Sequence, residues 1–217
     1  VTVLAAAVAY VVEHPGLFRG AVATHLALSA SALAIAIAVA VPVAIAVARH
    51  PAAAFAATGT ANVLRTVPSL AILALALPLL GIGFVPSLVA LTILGLPPIL
   101  TNTYVALREV DADAVESAAG MGMTRGEILR RIEIPLAMPV ILAGVRTAAV
   151  QIVASATLAA FIGGGGLGDF ITMGIGMMQV EVMLVGAVPV SLLAIATEVG
   201  FARLERRLTP RGVRDTA

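Results

Sequence analysis

The sequence predicts an all-α integral membrane protein of about five transmembrane helices, with a short charged helix pair on the cytoplasmic side between spans three and four. Three observations predict it. Sixty per cent of residues are hydrophobic and 12% are charged, against roughly 25% charge in a soluble globular chain, and mean hydropathy is +1.08. Five apolar runs are long enough to cross a bilayer, which takes roughly 20 residues each. The arginines gather where alternating crossings bring them to one side of the membrane. A chain of 217 residues suits one compact bundle, so a single domain over residues 1–217 is expected.

Residues 1–20 form an outer segment. Within it Thr2 to Val12 is apolar but short, and His14-Pro15-Gly16 separates it from the first span. An interfacial helix on the outer face is the favoured reading and a sixth span the alternative. The segment has no basic n-region and no A-x-A site ahead of polar sequence, so it is not read as a signal peptide. Span one covers 21–48, with Pro42 near its end and Arg49, His50 and Pro51 closing it. Span two, 61–80, carries Asn62, Arg65, Pro68 and Pro78 and stops at Gly81-Ile82-Gly83. Span three covers 86–107, where Pro97-Pro98 is expected to kink or unwind the helix. A charged loop, 108–135, precedes span four at 136–162. Span five covers 180–202, and residues 203–217 form a tail with Arg203, Arg206, Arg207, Arg211 and Arg214. Abundant alanine and glycine permit close helix packing in lipid.

All 13 basic residues are arginine. Arg49, the loop residues Arg108, Arg125, Arg130 and Arg131, and the tail arginines share one side if the five spans alternate; only Arg19 falls clearly outside that group. The positive-inside rule then puts the charged loop and the C-terminus in the cytoplasm and the N-terminus outside.

The loop reads as two helices around a glycine hinge. Asp113 and Glu116 have capping-box spacing, which starts a helix near Ala114. Gly120 and Gly122 interrupt it, and Gly122 is a natural stop because glycine enters the left-handed conformation cheaply. Thr124 and Glu127 repeat the spacing and open a second helix. There Ile128, Leu129 and Ile132 share a face, Glu127 and Arg131 stand at i,i+4, and Pro135 ends the pair. Ala118, Ala119 and Gly120 offer little bulk, while Met121 and Met123 offer adaptable apolar contact. Such a knob could seat in a partner's cleft, although from capping spacings alone a solvated connection is the favoured reading.

The whole pattern is more specific. Glu116-Ser117-Ala118, then Gly122, then Ile132-x-Ile134-Pro135 resembles the EAA signature of bacterial ABC importer permeases. In that signature E-A-A precedes a glycine by four positions and I-x-L-P comes after nine further residues. Ser117 departs from the usual alanine, and Ala119 stands where relatives often carry arginine. Arg146 to Gln151 and Ala156 to Gly168 are similar to the permeases of the glycine betaine, carnitine and choline importers. The resemblance implies a type I importer-like fold in which the loop is a coupling helix. Glu116, Ser117, Ala118, Gly120, Met121, Gly122, Arg125, Ile132 and Pro135 would then dock a cytoplasmic ATP-binding subunit. It further implies a second permease chain, identical or related, an extracytoplasmic substrate-binding protein, and a bacterial inner-membrane location. The solute would be glycine betaine, choline, carnitine or proline betaine.

The run Gly163, Gly164, Gly165, Gly166 and Gly168 is too glycine-rich for a stable helix, so span four ends there in a flexible outer loop. In the importer reading the run lies near an outer gate; as an ordinary connection it needs no such role. Arg65, Arg146, Glu181 and Glu198 are read as structural or topogenic, Arg65 and Arg146 lying near enough to cytoplasmic ends to snorkel. His25, Asn62, Asn102 and Gln151 either line a pathway or bond across helices.

Several chemistries find no support. Cysteine is absent, which removes disulfides and thiolate metal sites. There is no G-x-x-x-x-G-K-[ST], so ATP and Mg are expected on the partner ATPase and no cofactor on this chain. No HExxH or G-x-S-x-G suggests an enzyme, and no nucleic-acid partner is expected. With two Tyr, six Phe and no Trp, the chain lacks the aromatic cage that holds quaternary ammonium ligands. Tyr104, Phe84 and Phe161 would make transient contacts at most, and affinity would reside in the binding protein. The alternatives are a permease for methionine or another amino acid, which shares the five-span plan, and an ATP-independent secondary transporter.

Overall fold

Ala32, Ala36, Ala40 and Ala44 recur every fourth residue on one helix face, and all four are fully buried. Side chains four apart stack on one side of an α-helix, so this stripe lets a neighbouring backbone approach closely. The neighbour is the helix that carries Gly95, where an added Cβ would lie 3.1 Å from Ala36 Cβ and 2.7 Å from Ile152 Cδ1. Three helices therefore meet around one glycine, and the core of the protein begins there.

The computed structural model describes residues 2–208; Arg211 and Arg214 of the expected tail lie outside them. The described residues form α1 (Val3–Glu13), α2 (Pro15–Val47), α3 (Pro51–Thr66), α4 (Ser69–Leu80) and α5 (Phe84–Arg108). The charged segment contributes α6 (Ala112–Gly120) and α7 (Arg125–Ile128), and a π-turn over Leu129–Glu133 leads into α8 (Ile134–Ser155). A 3-10 turn over Ala156–Ile162, α9 (Gly168–Met177) and α10 (Val180–Leu208) complete the chain. No strand occurs among the described residues.

Helix α5 is the hub, packed against α2, α3, α4 and α8. At the α5–α8 crossing Gly144 leaves no room for a side chain, since a Cβ would meet the Pro98 carbonyl at 2.8 Å and Asn102 Cβ at 2.6 Å. Large apolar residues such as Phe55, Leu75, Leu79 and Leu192 point outward, as expected where lipid is the solvent. The protein is a multi-pass membrane protein.

Helices α2, α5 and α10 and the run Arg125–Ile162 that contains α8 are each long and apolar enough to cross a membrane. The fifth crossing is the bent pair α3 and α4, whose axes meet at 99°. It starts beside Arg49, near the charged segment, and finishes at the opposite end, where Gly83 N–H donates to the Ile162 carbonyl (2.8 Å). The pair thus carries the chain across and is a broken span. The break has a local cause. Proline disfavours the α conformation in the residue before it, and Val67 ahead of Pro68 is extended at φ −75°, ψ 125°.

Several boundaries differ from expectation. Span one begins at Pro15, because proline is well placed in the first turn, so residues 15–20 belong to α2 and not to an outer segment. Span two at 61–80 becomes two helices that reach back to Pro51. Pro97-Pro98 does not unwind α5, which is helical from Phe84 to Arg108. Span four changes pitch at Ala156. Helix α9 appears where only a loop was expected, and α10 extends to Leu208.

One ionic cluster ties α8 to α10. Arg146 Nη1 lies 3.1 Å from Glu205 Oε2, and its Nε lies 3.5 Å from Glu198 Oε1. Arg146→Leu is expected to leave two carboxylates facing an apolar surface and to cost about 1–3 kcal/mol, read as a lowered Tm in detergent. Arg146→Lys should keep part of that stability, as a point charge serves one carboxylate better than two.

Candidate functional site

At the charged end the chain makes a compact helix pair outside the bundle. Asp111 caps α6, its Oδ1 accepting from Asp113 N–H at 2.9 Å, and the helix begins at Ala112. The expected capping box from Asp113 to Glu116, with a start near Ala114, is not formed. Asp111 sits two residues earlier and takes the capping role, which leaves Asp113 inside the first turn. The far end closes through a Schellman motif: Met123 N–H donates to Ala118 O (3.2 Å) and Gly122 N–H to Ala119 O (2.9 Å). Gly122 stands at φ 84°, the left-handed position this motif requires. Gly120 does not interrupt α6 but forms its last residue.

Thr124 and Glu127 form a complete capping box. Thr124 N–H and Oγ1–H both donate to Glu127 Oε2, at 2.9 and 2.8 Å. The backbone bond from Thr124, then its hydroxyl and the charge of Arg131 hold the Glu127 carboxyl below its ordinary range. Pro135 does not end this pair. The ring of a proline clashes with the carbonyl four residues back and has no N–H to give. Here the helix widens into the π-turn, with Ile134 N–H bonding to Leu129 O, and continues as α8. Arg49 Nη2 donates to both carboxylate oxygens of Glu133, at 3.0 and 2.9 Å, and fastens the end of α2 to that turn.

Of the residues expected to dock a partner, Glu116, Ser117, Gly120, Met121, Gly122 and Arg125 are exposed, Met121 to 76%. Ala118 is buried, while Ile132 and Pro135 are half-buried beneath. Glu116 borders a pocket of about 270 Å3 between the pair and the bundle, together with Arg49, Arg108 and Glu133. Sequence reasoning missed Asp111, Arg49 and Glu133. Asp111 was available as an N-cap residue next to the helix; nothing local links Arg49 to Glu133.

At the opposite end the glycine run is not a loose loop. Gly163, Gly165 and Gly166 take positive φ, and Gly164, Gly166 and Gly168 are buried. A Cβ on Gly164 would strike Ser87 and lie 2.8 Å from Ala159 Cβ. One on Gly168 would strike the Thr157 carbonyl oxygen, and one on Gly166 would lie 3.3 Å from His25 Cα. The run is a fitted corner that lets α2, α5 and the 3-10 turn converge. Where α8 tightens into that turn, His25 Nε2 donates to the Val153 carbonyl (3.1 Å). His25 thus bonds across helices. Asn102 bonds within its own helix, to Pro98 O (2.7 Å).

Between the two ends, the α3–α4 break opens a cleft of about 250 Å3 lined by Arg65, Thr66, Ser69, Gln151 and Ser155, with Leu94 and Pro97 behind. The middle of α5 falls between Leu94 and Pro97. Arg65 therefore lies level with the middle of α5 and not near either of its ends, because the break turns the chain sideways part-way along the bundle.

The bundle, its broken span and its protruding helix pair define a class of transporter. Residues 32–210 match the family of binding-protein-dependent transport system inner membrane components, and the chain belongs to that family. It is 51% identical over 155 residues to the choline transport system permease protein OpuBB of Bacillus subtilis, covering 71% of each chain. It is 48% identical over 165 residues to the glycine betaine/carnitine/choline permease OpuCB of the same organism, covering 76% of each. Its fold is similar to that of a chain of the MetNI methionine ABC transporter in an inward-facing conformation, with a TM-score of 0.80 at 22% identity, over 91% of this chain and 99% of that one.

Proposed function

We propose that this chain is the transmembrane permease subunit of an ATP-driven ABC importer, forming the pathway for a compatible solute such as glycine betaine, choline, carnitine or proline betaine. The observation that carries the reading is the α6–α7 pair. It stands outside the bundle, presents Glu116, Ser117, Gly120 and Met121, and runs without a loop into α8. A cytoplasmic ATP-binding subunit seats this knob, and ATP and Mg are held there. Arg49, Arg108, Arg125, Arg130 and Arg131 share the end that carries the knob, which supports placing that end in the cytoplasm and the N-terminus outside.

Two permease chains enclose the pathway, and closure of their ATPases tilts the halves from inward-open to outward-open. An exported binding protein docks at the opposite end, over the corner built by Gly163 to Gly168, and delivers the solute there. Residues 108–135 act as the coupling loop. The kinship with solute permeases at about half identity supports the substrate class.

The test is uptake by the complex of this chain, its ATPase and its binding protein in proteoliposomes. ATP-dependent accumulation of glycine betaine, absent with a non-hydrolysable analogue, is the expected result. Uptake that persists without ATP hydrolysis would identify a secondary transporter. Accumulation of methionine with no betaine, carnitine or choline uptake would identify an amino-acid importer.

A further inference from the structure

We propose that the cleft at the α3–α4 break is a transit site for the carboxylate of a zwitterionic solute, with Arg65 as its counter-ion. The proposal rests on the importer reading above and adds to it a residue and a ligand chemistry.

The fold treats its two arginines within the spans differently. Arg146 is neutralised twice over, by Glu198 and Glu205. Arg65 has no hydrogen-bond or ion-pair partner among the described residues. A charge at membrane depth is costly unless it meets water, protein or a counter-ion, and such residues mark transport pathways. The lining leaves no internal counter-ion: Thr66, Ser69, Gln151 and Ser155 are neutral, and no acidic side chain borders the cleft. Depth argues against a lipid phosphate, since Leu94 and Pro97 place the cleft at the middle of α5.

Size and chemistry point to a small carboxylate. At about 250 Å3 the cleft lies just under the roughly 300–1,000 Å3 of sites for drug-sized ligands, which suits a solute of few heavy atoms. A guanidinium matches the planar carboxylate, and charge-assisted hydrogen bonds are the strong ones. The Gln151 amide and the Ser155 hydroxyl can bond the same oxygens. Nothing aromatic lines the cleft, so the quaternary ammonium end finds no cage and the solute is held by one end only. That suits passage rather than storage. A solute with a quaternary ammonium and no carboxylate gains nothing from Arg65 and is repelled by it.

The experiment compares glycine betaine with choline in the reconstituted complex. Arg65→Gln is expected to lower kcat/KM for glycine betaine uptake about tenfold or more, the loss of one charge-assisted hydrogen bond. Arg65→Lys should restore most of it, and choline uptake should fall far less or rise. Equal losses for both solutes would overturn the proposal and make Arg65 structural, as would unchanged uptake of both. A wild-type complex that accumulates neither solute would sink the importer reading instead.

A second readout does not need transport. The chain has no cysteine, so Gln151→Cys provides a single thiol in the cleft. Anionic sulfonate thiol reagents should label it several-fold faster than cationic ammonium reagents of the same size, and Arg65→Gln should erase the difference. Equal rates in the presence of Arg65 would overturn the proposal.

Discussion

Gly168→Leu is expected to prevent assembly of a stable permease. The Cβ alone would collide with the Thr157 carbonyl oxygen and lie 2.8 Å from its carbon. Those are backbone atoms, so no rotamer change relieves the clash. The 3-10 turn that holds Thr157 would have to move, and it is bonded at its end to Gly83 through Ile162 O (2.8 Å). Overpacking usually costs about 1–3 kcal/mol and more when backbone must shift, a large fraction of the stability of a domain. Gly164→Val should behave alike, since Ser87 and Ala159 occupy its space. Gly176, next to the last residue of α9, has nothing within 4 Å, and Gly176→Ala should be near neutral. Size-exclusion profiles and thermal unfolding in detergent distinguish these outcomes. A monodisperse Gly168→Leu protein of wild-type Tm would show that the corner is as loose as glycine content alone suggests.

Glu116→Lys is expected to abolish ATP-driven uptake and leave the fold intact. Its side chain lies on the surface of the helix pair, so reversing it adds no buried charge, and protein yield and Tm should hold. The charge of the pocket changes most, because Glu116 borders it together with Arg49, Arg108 and Glu133. A third basic group there would repel a cationic partner site. We expect the ATPase to stop copurifying and uptake to fall by about two orders of magnitude, as when a buried charged contact at an interface is truncated. Gly122→Val acts differently, forcing a β-branched residue into the left-handed region at about 1–2 kcal/mol and unravelling the Schellman turn. Asp113→Lys makes the same charge reversal away from that pocket and should be far milder. Unimpaired copurification and uptake in Glu116→Lys would contradict the coupling role.

How far the sequence reveals all this depends on the range of the interaction. The Thr124–Glu127 capping box and the left-handed turn at Gly122 span only a few residues, so their spacing is legible directly. Asp111 and Asp113 both offer a capping carboxylate, and local pattern alone does not choose between them. Proline position is harder to read. Pro68 marks a 99° break, whereas Pro78, Pro97 and Pro98 lie inside helices; the residue type is the same and the surroundings decide. The glycine run reads as loose because composition reports backbone freedom but not the neighbours that remove it. Ser87, Thr157 and His25 come from three distant segments. Arg49 and Glu133, 84 positions apart, are joined only by the fold. The position of Arg65 level with the middle of α5 results from the break and is invisible in sequence for the same reason.

The π-turn over Leu129–Glu133 has a mechanical consequence. It makes the helical run from Arg125 to Ile162 continuous over 38 residues, about 55–60 Å of shaft at 1.5 Å per residue. No loop interrupts the run between its two ends. The Arg49–Glu133 ion pair sits on the widened turn and ties it to the end of α2. The second helix of the knob and the distant glycine corner are thus the two ends of one helical run.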